Sequence, residues 1–378
     1  MILSIIVYTS MMIFLVTSSY YVSKTPKFIN NRYETAFFRG SIIISCLIFA
    51  IVFGARYDTG VDHLAYLEGY QYLLKGYERE DMERGFYIIV RLFAGFNLHF
   101  FFYFAFLAFL QIFFFYYAFR NEQQLYPALS FILMTSFFLF WMNVIRQNIV
   151  FCIFLSTITY IENKSFGKYL LIILLCTFFL HKSAIFLLAV YPFLSRKSSM
   201  TPGILLQVII LLICIYLNRN SWLQDRLDLI SQLVSFTSYG DKYANRLSVF
   251  DAGFNFGPRV IIGVVINIFT IIISPYLKNF YNSNRFNIFY TMYFWGTCVW
   301  YLFYGNYLLQ RPIEYFYYMS LVVYAFAIYY LCKVSLKKYK YLLMFLLYAI
   351  LQIGVYCGTI YSTTQPNEVT AFHFFWQN

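Results

Sequence analysis

The sequence predicts an all-α, polytopic integral membrane helix bundle of about twelve transmembrane segments, some of them short or broken. Three observations carry that reading. Hydrophobic residues make up 61% of the 378 and charged residues only 12%, about half the charged share of an ordinary soluble domain. The charges gather between apolar runs, many of them near the roughly 20 residues a helix needs to cross hydrocarbon. Finally, the net charge of +12 is distributed unevenly among the connecting loops.

Taken in order, the apolar runs fall at 1–22, 36–55, 99–119, 126–142, 145–161, 168–180, 183–194, 203–217, 258–277, 286–304, 312–332 and 340–361. The first, MILSIIVYTSMMIFLVTSSYY, has neither a basic n-region nor a small-residue cleavage site and reads as a retained helix. Residues 168–194 present a choice between one long span with His181 and Lys182 at mid-bilayer and two short helices meeting at HKS. A single span would turn the basic loop KVSLKKYK outward, against the positive-inside bias, so two helices are expected. The segment at 86–97 is too short to span and is expected to lie flat or re-enter. SWLQDRLDLISQLVSF has leucine and isoleucine at helical spacing between charges and reads as an amphipathic interfacial helix. No short-period repeat or low-complexity linker divides the chain. A single integral domain, 1–378, is expected, with larger extracytoplasmic loops at 56–98 and 218–257.

Short loops rich in Lys and Arg stay cytoplasmic. With residues 23–39 inside, the alternating inner loops hold fifteen basic residues, among them Lys24, Arg120, Lys164, Lys278 and Lys337, against only Glu34, Glu122 and Glu162. The thirteen basic and thirteen acidic residues that remain fall outside. Both termini then come out extracytoplasmic. The inner loops offer neither paired acids for a metal nor a glycine-rich phosphate loop, which argues against cytosolic nucleotide chemistry. The seven cysteines all sit in apolar runs without CxxC spacing, so no disulfide framework and no zinc or other metal site is expected.

The polar residues of the outer face gather where apolar runs end, and ionisable groups at membrane depth are functional candidates because an unpaired one costs several kcal/mol. In GARYDTGVDHLAY (54–66), a helix beginning near residue 58 would place Asp58, Asp62 and Tyr66 on one face. Two carboxylates there could share a proton, lifting one toward the range of a general base. Alternatively, Arg56 pairs one of them and caps the helix. In WMNVIRQNIV (141–150), Arg146 and Gln147 open an otherwise apolar helix. An arginine at that end gains nothing from the helix dipole, so it calls for a protein carboxylate or a ligand phosphate. In LHKSA (180–184), His181 beside Lys182 suggests proton handling or anion contact, set against a purely structural histidine. In LLQRPIEYFYYM (308–319), Arg311, Glu314 and Tyr315 share a helix face, where an intrahelical pair or a bidentate phosphate contact would serve. His63 and His99 read as structural, and His373 and Trp376 as part of the interfacial aromatic belt.

These stretches resemble the EpsG family, the Wzy-like polymerases of bacterial capsule, exopolysaccharide and O-antigen loci. RYDTGVDHLAY is similar to the family's RYxxGxDxxxY signature through Arg56, Gly60, Asp62 and Tyr66. ERGFYIIV (83–90) resembles its E-x-G-F element, IRQNIV its R-Q element, LHKSAIF its histidine segment and LQRPIEYF its late R-x-x-x-Y-F element. The resemblance implies a glycosyltransferase that polymerises oligosaccharide units carried on undecaprenyl diphosphate, at the outer leaflet of the bacterial inner membrane. Such a reaction needs cations to hold the leaving diphosphate and a base near the acceptor hydroxyl, and no cofactor or metal. Arg56, Arg146, Lys182 and Arg311, with Arg259, supply the cations, and Tyr66, Glu83, Gln147 and Tyr315 further substrate contacts. Asp62 is the expected base, with Asp58 or His181 as substitutes, and Glu83 positions sugar hydroxyls or pairs an arginine. The expected partners are undecaprenyl-diphosphate-linked oligosaccharide, membrane lipid and a chain-length regulator protein, with no nucleic acid. The alternatives are a flippase or transporter of lipid-linked oligosaccharide, and an O-antigen-type ligase.

Overall fold

The computed structural model describes residues 2–24, 40–78, 82–195, 200–220, 257–363 and 371–377. The amphipathic helix expected at SWLQDRLDLISQLVSF lies outside them. Among the described residues the regular structure is helical, apart from one isolated antiparallel bridge between Arg56 and Phe374. Six stretches among the described residues are long and apolar enough to cross a membrane by length and composition: Ile2–Lys24, Phe100–Ala118, Gln123–Asn143, Pro258–Tyr281, Arg311–Ser335 and Tyr339–Thr363. Four shorter apolar helices accompany them, at Ile42–Gly54, Phe166–Phe179, Lys182–Leu194 and Ile204–Arg219. The chain is a polytopic helical membrane protein. It divides into two compact units, residues 1–196 with 328–378, and residues 197–327.

The first unit begins with α1 (Ile2–Lys24), α2 (Gly40–Gly54), α3 (His63–Leu74), α4 (Arg84–Gly95) and α5 (Phe100–Ala118). Next come α6 (Tyr126–Ile132), a π-helical turn (Leu133–Phe137), α7 (Phe138–Asn143), α8 (Ile145–Glu162) and α9 (Phe166–Phe179). A 3₁₀ helix over Lys182–Val190 and the short α10 (Tyr191–Leu194) complete its first part. The 168–194 region is thus two short helical pieces meeting at His181. With no helical residues at Leu180 and His181, the break keeps the charged residues out of a continuous apolar rod.

Twelve of the eighteen residues of α8 are buried, on all sides of the helix. It is less apolar than its neighbours because it faces protein instead of lipid, and an interior helix tolerates Asn148 and Gln147 if their amides find partners. Around it the unit has two distinguishable ends. At one, Ser4 Oγ of α1 accepts from the Phe372 N–H at 2.9 Å, Tyr57 N–H donates to the His373 carbonyl at 2.9 Å, and His99 packs on Phe375. At the other, Ser130 of α6 joins Tyr116 of α5 at 2.6 Å and Ser19 of α1 at 3.1 Å. The start of α1, the end of α2, the start of α5 and the C-terminal segment therefore share one end, as alternating crossings require.

The feature that positions the site is the reversal between α7 and α8. Only Val144 separates the two helices. Gln111 of α5 donates to the carbonyls of Trp141 at 2.9 Å and Ile145 at 3.4 Å. Eleven residues of α5 precede Gln111, so the reversal is recessed by roughly 16 Å from the start of that helix. Backbone groups freed at such depth must be satisfied internally. Asn148 Nδ2 reaches the Phe140 and Val144 carbonyls at 2.8 and 3.1 Å, and Arg56 Nη2 reaches the Met142 carbonyl at 3.1 Å. Three buried polar side chains thus replace the water that an exposed break would use.

The second unit carries α11 (Ile204–Arg219), α12 (Pro258–Tyr281), α13 (Asn284–Leu302), the short α14 (Tyr307–Gln310), a 3₁₀ turn over Arg311–Ile313 and the short α15 (Glu314–Tyr317). Its central helix is α13, thirteen of whose nineteen residues are buried. Gly296 of α13 lets the backbone of Phe316 approach so closely that a Cβ there would stand 2.4 Å from the Phe316 carbonyl carbon. Asn267 of α12 accepts from Tyr293 at 2.9 Å and from Tyr324 at 2.7 Å. There follow α16 (Met319–Ser335), which carries the boundary between the units, and α17 (Tyr339–Thr363) with a 3₁₀ turn over Phe375–Gln377, which belong to the first.

Candidate active site

The loop between α2 and α3 is built on backbone geometry rather than on a helix from residue 58. Asp58 holds φ at +45° and Gly60 at +100°, and α3 starts only at His63 with Asp62 as its N-cap. The expected alignment of Asp58 and Asp62 on one helical face therefore does not occur. The loop is pinned from two sides instead. Val61 N–H donates to Asn143 Oδ1 at 2.8 Å, and the Thr59 hydroxyl donates to the Ala371 carbonyl at 3.1 Å. Asp58 is left exposed, and Asp62 is half-buried one turn ahead of Tyr66, whose N–H donates to the Asp62 carbonyl at 3.1 Å.

Arg56 is 2% exposed and donates to two carbonyls, Phe53 at 3.2 Å and Met142 at 3.1 Å. Burial pushes its guanidinium down to about 10, which leaves it charged at neutral pH. It faces the ring of Phe104 at 5.7 Å, and Phe104 also stacks on the imidazole of His63 at 4.5 Å. His63 is fully buried, its Nδ1 accepting from the Asp58 N–H at 3.2 Å. Burial, and then the charge of Arg56, push the imidazole down to about 3, so it is neutral. This agrees with its reading as a structural residue.

Arg146 stands at the second position of α8, immediately after the reversal. Its Nη1 pairs with Oε2 of Glu83, and its Nε donates to the Tyr66 hydroxyl oxygen at 3.2 Å. The guanidinium lies 4.8 Å from the ring of Phe86 and 5.6 Å from that of Tyr66. Glu83 is the N-cap residue of α4, and its side chain makes no cap hydrogen bond to that helix. Burial works to raise its carboxyl, but Arg146, its own backbone amide and the nearby His181 outweigh this and hold it below the ordinary carboxylate range. Of the two alternatives open for Arg146, the protein carboxylate is the one the structure fills.

Gly85 explains how Glu83 reaches its partner. A Cβ on Gly85 would stand 2.4 Å from the Phe178 carbonyl oxygen and 2.6 Å from the Phe179 Cα. Only glycine lets the start of α4 press against the end of α9, which brings Glu83 next to His181. His181 caps the following 3₁₀ helix: Ser183 N–H donates to Nδ1 at 3.2 Å, and Ser183 Oγ lies 2.6 Å from the same nitrogen. Lys182 is exposed and Gln147 is buried. The structure thus brings Tyr66, Glu83, Arg146 and His181 into one cluster, with Asp62 one helical turn from Tyr66. Arg311, Glu314 and Tyr315 belong to the second unit, as does Arg259. There Arg311 is exposed at the interruption between α14 and α15, while Glu314 and Tyr315 are buried.

A groove of about 490 Å³ between α5, α8 and α9 is lined by Phe114, Tyr117, Ile153, Ile172, Phe179 and Leu180, among others. Leu180 directly precedes His181. Arg120, stacked 4.1 Å from the Tyr117 ring, also lines the groove.

Sequence reading missed Gln111, Asn143 and Asn148, and read the segment 371–377 as part of an aromatic belt without its pairing to the Arg56 loop. Gln111 carried a signal: it is the only amide in the run FFFYFAFLAFLQIFFFYYA. The C-terminal segment carried none beyond its aromatics, because its pairing with the Arg56 loop spans more than 300 residues of sequence.

Fold and site together define a polytopic helical membrane protein with an arginine–glutamate pair at the recessed reversal of a broken helix. The family model that matches residues 41–366 is that of the EpsG family. The chain belongs to this family of polysaccharide polymerase-like membrane proteins. No curated protein and no solved structure matches it.

Proposed function

We propose that the chain is a glycosyltransferase that joins oligosaccharide units carried on undecaprenyl diphosphate, working at the outer leaflet of a bacterial plasma membrane. The observation that carries the reading is the cluster of Arg146, Tyr66, Glu83 and His181 at the start of α8. There a guanidinium and a helix N-terminus both favour an anion. Membership of the family supports this reaction class, and the basic surplus of the inner loops supports this side of the membrane.

In this reaction a hydroxyl of one unit attacks the anomeric carbon of another. The new glycosidic bond forms as the bond from that carbon to the diphosphate oxygen breaks, and the diphosphate leaves with the electron pair. Arg146 and the first amides of α8 take up the charge that develops on the leaving group. Lys182 adds a cationic contact and Gln147 a polar one. Within the second unit, Arg311, Arg259 and Tyr315 are the groups assigned to substrate binding. Asp62 accepts the hydroxyl proton. It is half-buried and one turn from Tyr66, whereas Asp58 is exposed and Glu83 is engaged by Arg146. Arg56 is a positioning residue that holds the reversal through the Met142 carbonyl. The isoprenoid chain lies in the groove that starts beside His181.

A flippase for the same lipid-linked sugar is the second reading. The interrupted helices at 133–144 and 307–317, one in each unit, favour it, since transporters build sites from discontinuous helices. Deleting the gene and complementing with wild type, Asp62→Asn or Arg146→Ala separates the two. Single repeat units should accumulate on the outer leaflet with either variant. Accumulation on the cytoplasmic leaflet would replace the polymerase with the flippase.

A further inference from the structure

We propose that Glu83 is a built-in occupant of the anion site: its carboxylate holds the Arg146 guanidinium at rest and is exchanged for an incoming diphosphate. The inference rests on the reading of this cluster as a diphosphate site, and adds how the site is kept before substrate arrives.

Three features point to exchange and not to a permanent pin. First, Arg146 does not depend on Glu83 for its orientation. Its Nε is fixed on the Tyr66 hydroxyl at 3.2 Å and its face on Phe86 at 4.8 Å, so the fork stays aimed when the carboxylate leaves. Second, the pair is reachable, with the Arg146 and Glu83 side chains 22% and 14% exposed. A pair sealed from water could not trade partners without opening the fold. Third, the carboxylate is outnumbered. The Glu83 carboxylate stands against the Arg146 guanidinium and the positive end of an eighteen-residue helix, and His181 stands near enough to lower the same carboxyl. A diphosphate ester brings two charges and several oxygens in place of one carboxylate, and arginine accepts such groups bidentately.

Glu83 also protects the resting enzyme. An uncompensated guanidinium in a recessed, partly buried position is costly, and a resident carboxylate offsets that cost until the ligand takes over. The same carboxylate sets a threshold: an anion that cannot outcompete it, such as a monoanionic sugar acid, is refused.

The test is a binding titration with the full chain in nanodiscs, using inorganic pyrophosphate and, separately, farnesyl diphosphate. Removing the competitor by Glu83→Gln should tighten both ligands about tenfold, whereas Arg146→Ala should abolish binding. Tightening of farnesyl diphosphate alone would assign the site to lipid-borne diphosphate, and equal tightening to the diphosphate group itself; both support the exchange. Binding by Glu83→Gln that is unchanged or weaker overturns it and leaves the pair as a structural pin. Should Glu83→Gln fail to fold, the wild-type protein still decides. Pyrophosphate should increase carbodiimide labelling of Glu83, read by mass spectrometry, and protection of Glu83 would overturn the exchange. The outcome is independent of the cellular test. If Glu83→Gln tightens binding but single repeat units do not accumulate in the deletion strain, the exchange stands and the polymerase reading falls.

Discussion

Gly60 and Asn143 touch so closely that a Cβ on Gly60 would stand 2.4 Å from Asn143 Oδ1, the same oxygen that accepts from Val61 N–H. One contact thereby joins the loop after α2 to the residue that ends α7. Gly60→Ala should be destabilising by about 1–3 kcal/mol from its φ of +100° alone, with the clash added. Gly76, at φ +84° with nothing within 4 Å of where a Cβ would stand, is the matched control. Thermal unfolding in detergent should show Gly60→Ala well below Gly76→Ala. Equal losses would mean that the contact with Asn143 contributes nothing.

Gly85→Ala should push the start of α4 away from Phe178 and Phe179 and separate Glu83 from Arg146. Polymer formation in complemented cells should be lost, while Gly95→Ala, on the same helix with open space around it, should be near wild type. Normal polymer from Gly85→Ala would show that the approach of α4 to α9 is not needed.

Gln111→Leu keeps the volume but leaves the Trp141 and Ile145 carbonyls without their donor. An orphaned buried polar group costs about 1–3 kcal/mol, so a lowered melting temperature is expected. Arg56→Lys should behave alike despite keeping its charge, because an ammonium lacks the fork that spans the Phe53 and Met142 carbonyls. A wild-type melting temperature for either variant would remove that side chain from the support of the reversal.

His63 makes stability depend on pH in a defined direction. In the unfolded chain the imidazole titrates near its ordinary 6.5, and in the folded protein near 3, because it is buried and faces Arg56. Between those values the unfolded state binds the additional proton, so stability is full above about 6.5 and falls as pH drops toward 3, by up to about 1.4 kcal/mol per pH unit. Melting curves of the solubilised protein should show this slope, and His63→Phe should flatten it. An unchanged slope would assign the acid sensitivity to another group.

The helices were legible because apolar run length is a local property. The run at 145–161 and the break at His181 could be read directly, and the structure has α8 over Ile145–Glu162 and a helical break at His181. The site was legible in part. Arg146 announced itself as a cation at the wrong end of a helix, and the structure supplies Glu83 as its partner. Asp58 and Asp62 misled, because helical spacing was assumed where Asp58 and Gly60 take left-handed backbone. Arg56 looked like a ligand contact, and only its two carbonyl partners reveal a residue that holds the reversal.

Sequence by itself determined that this chain lives in lipid and which stretches are helical, since hydrophobicity and charge act residue by residue. Tertiary structure alone decided that Glu83 meets Arg146 across 63 residues and that the C-terminal Phe374 bridges to Arg56. Such pairings depend on which helix ends pack together and on whether a glycine allows the approach, and no local pattern in the chain encodes that.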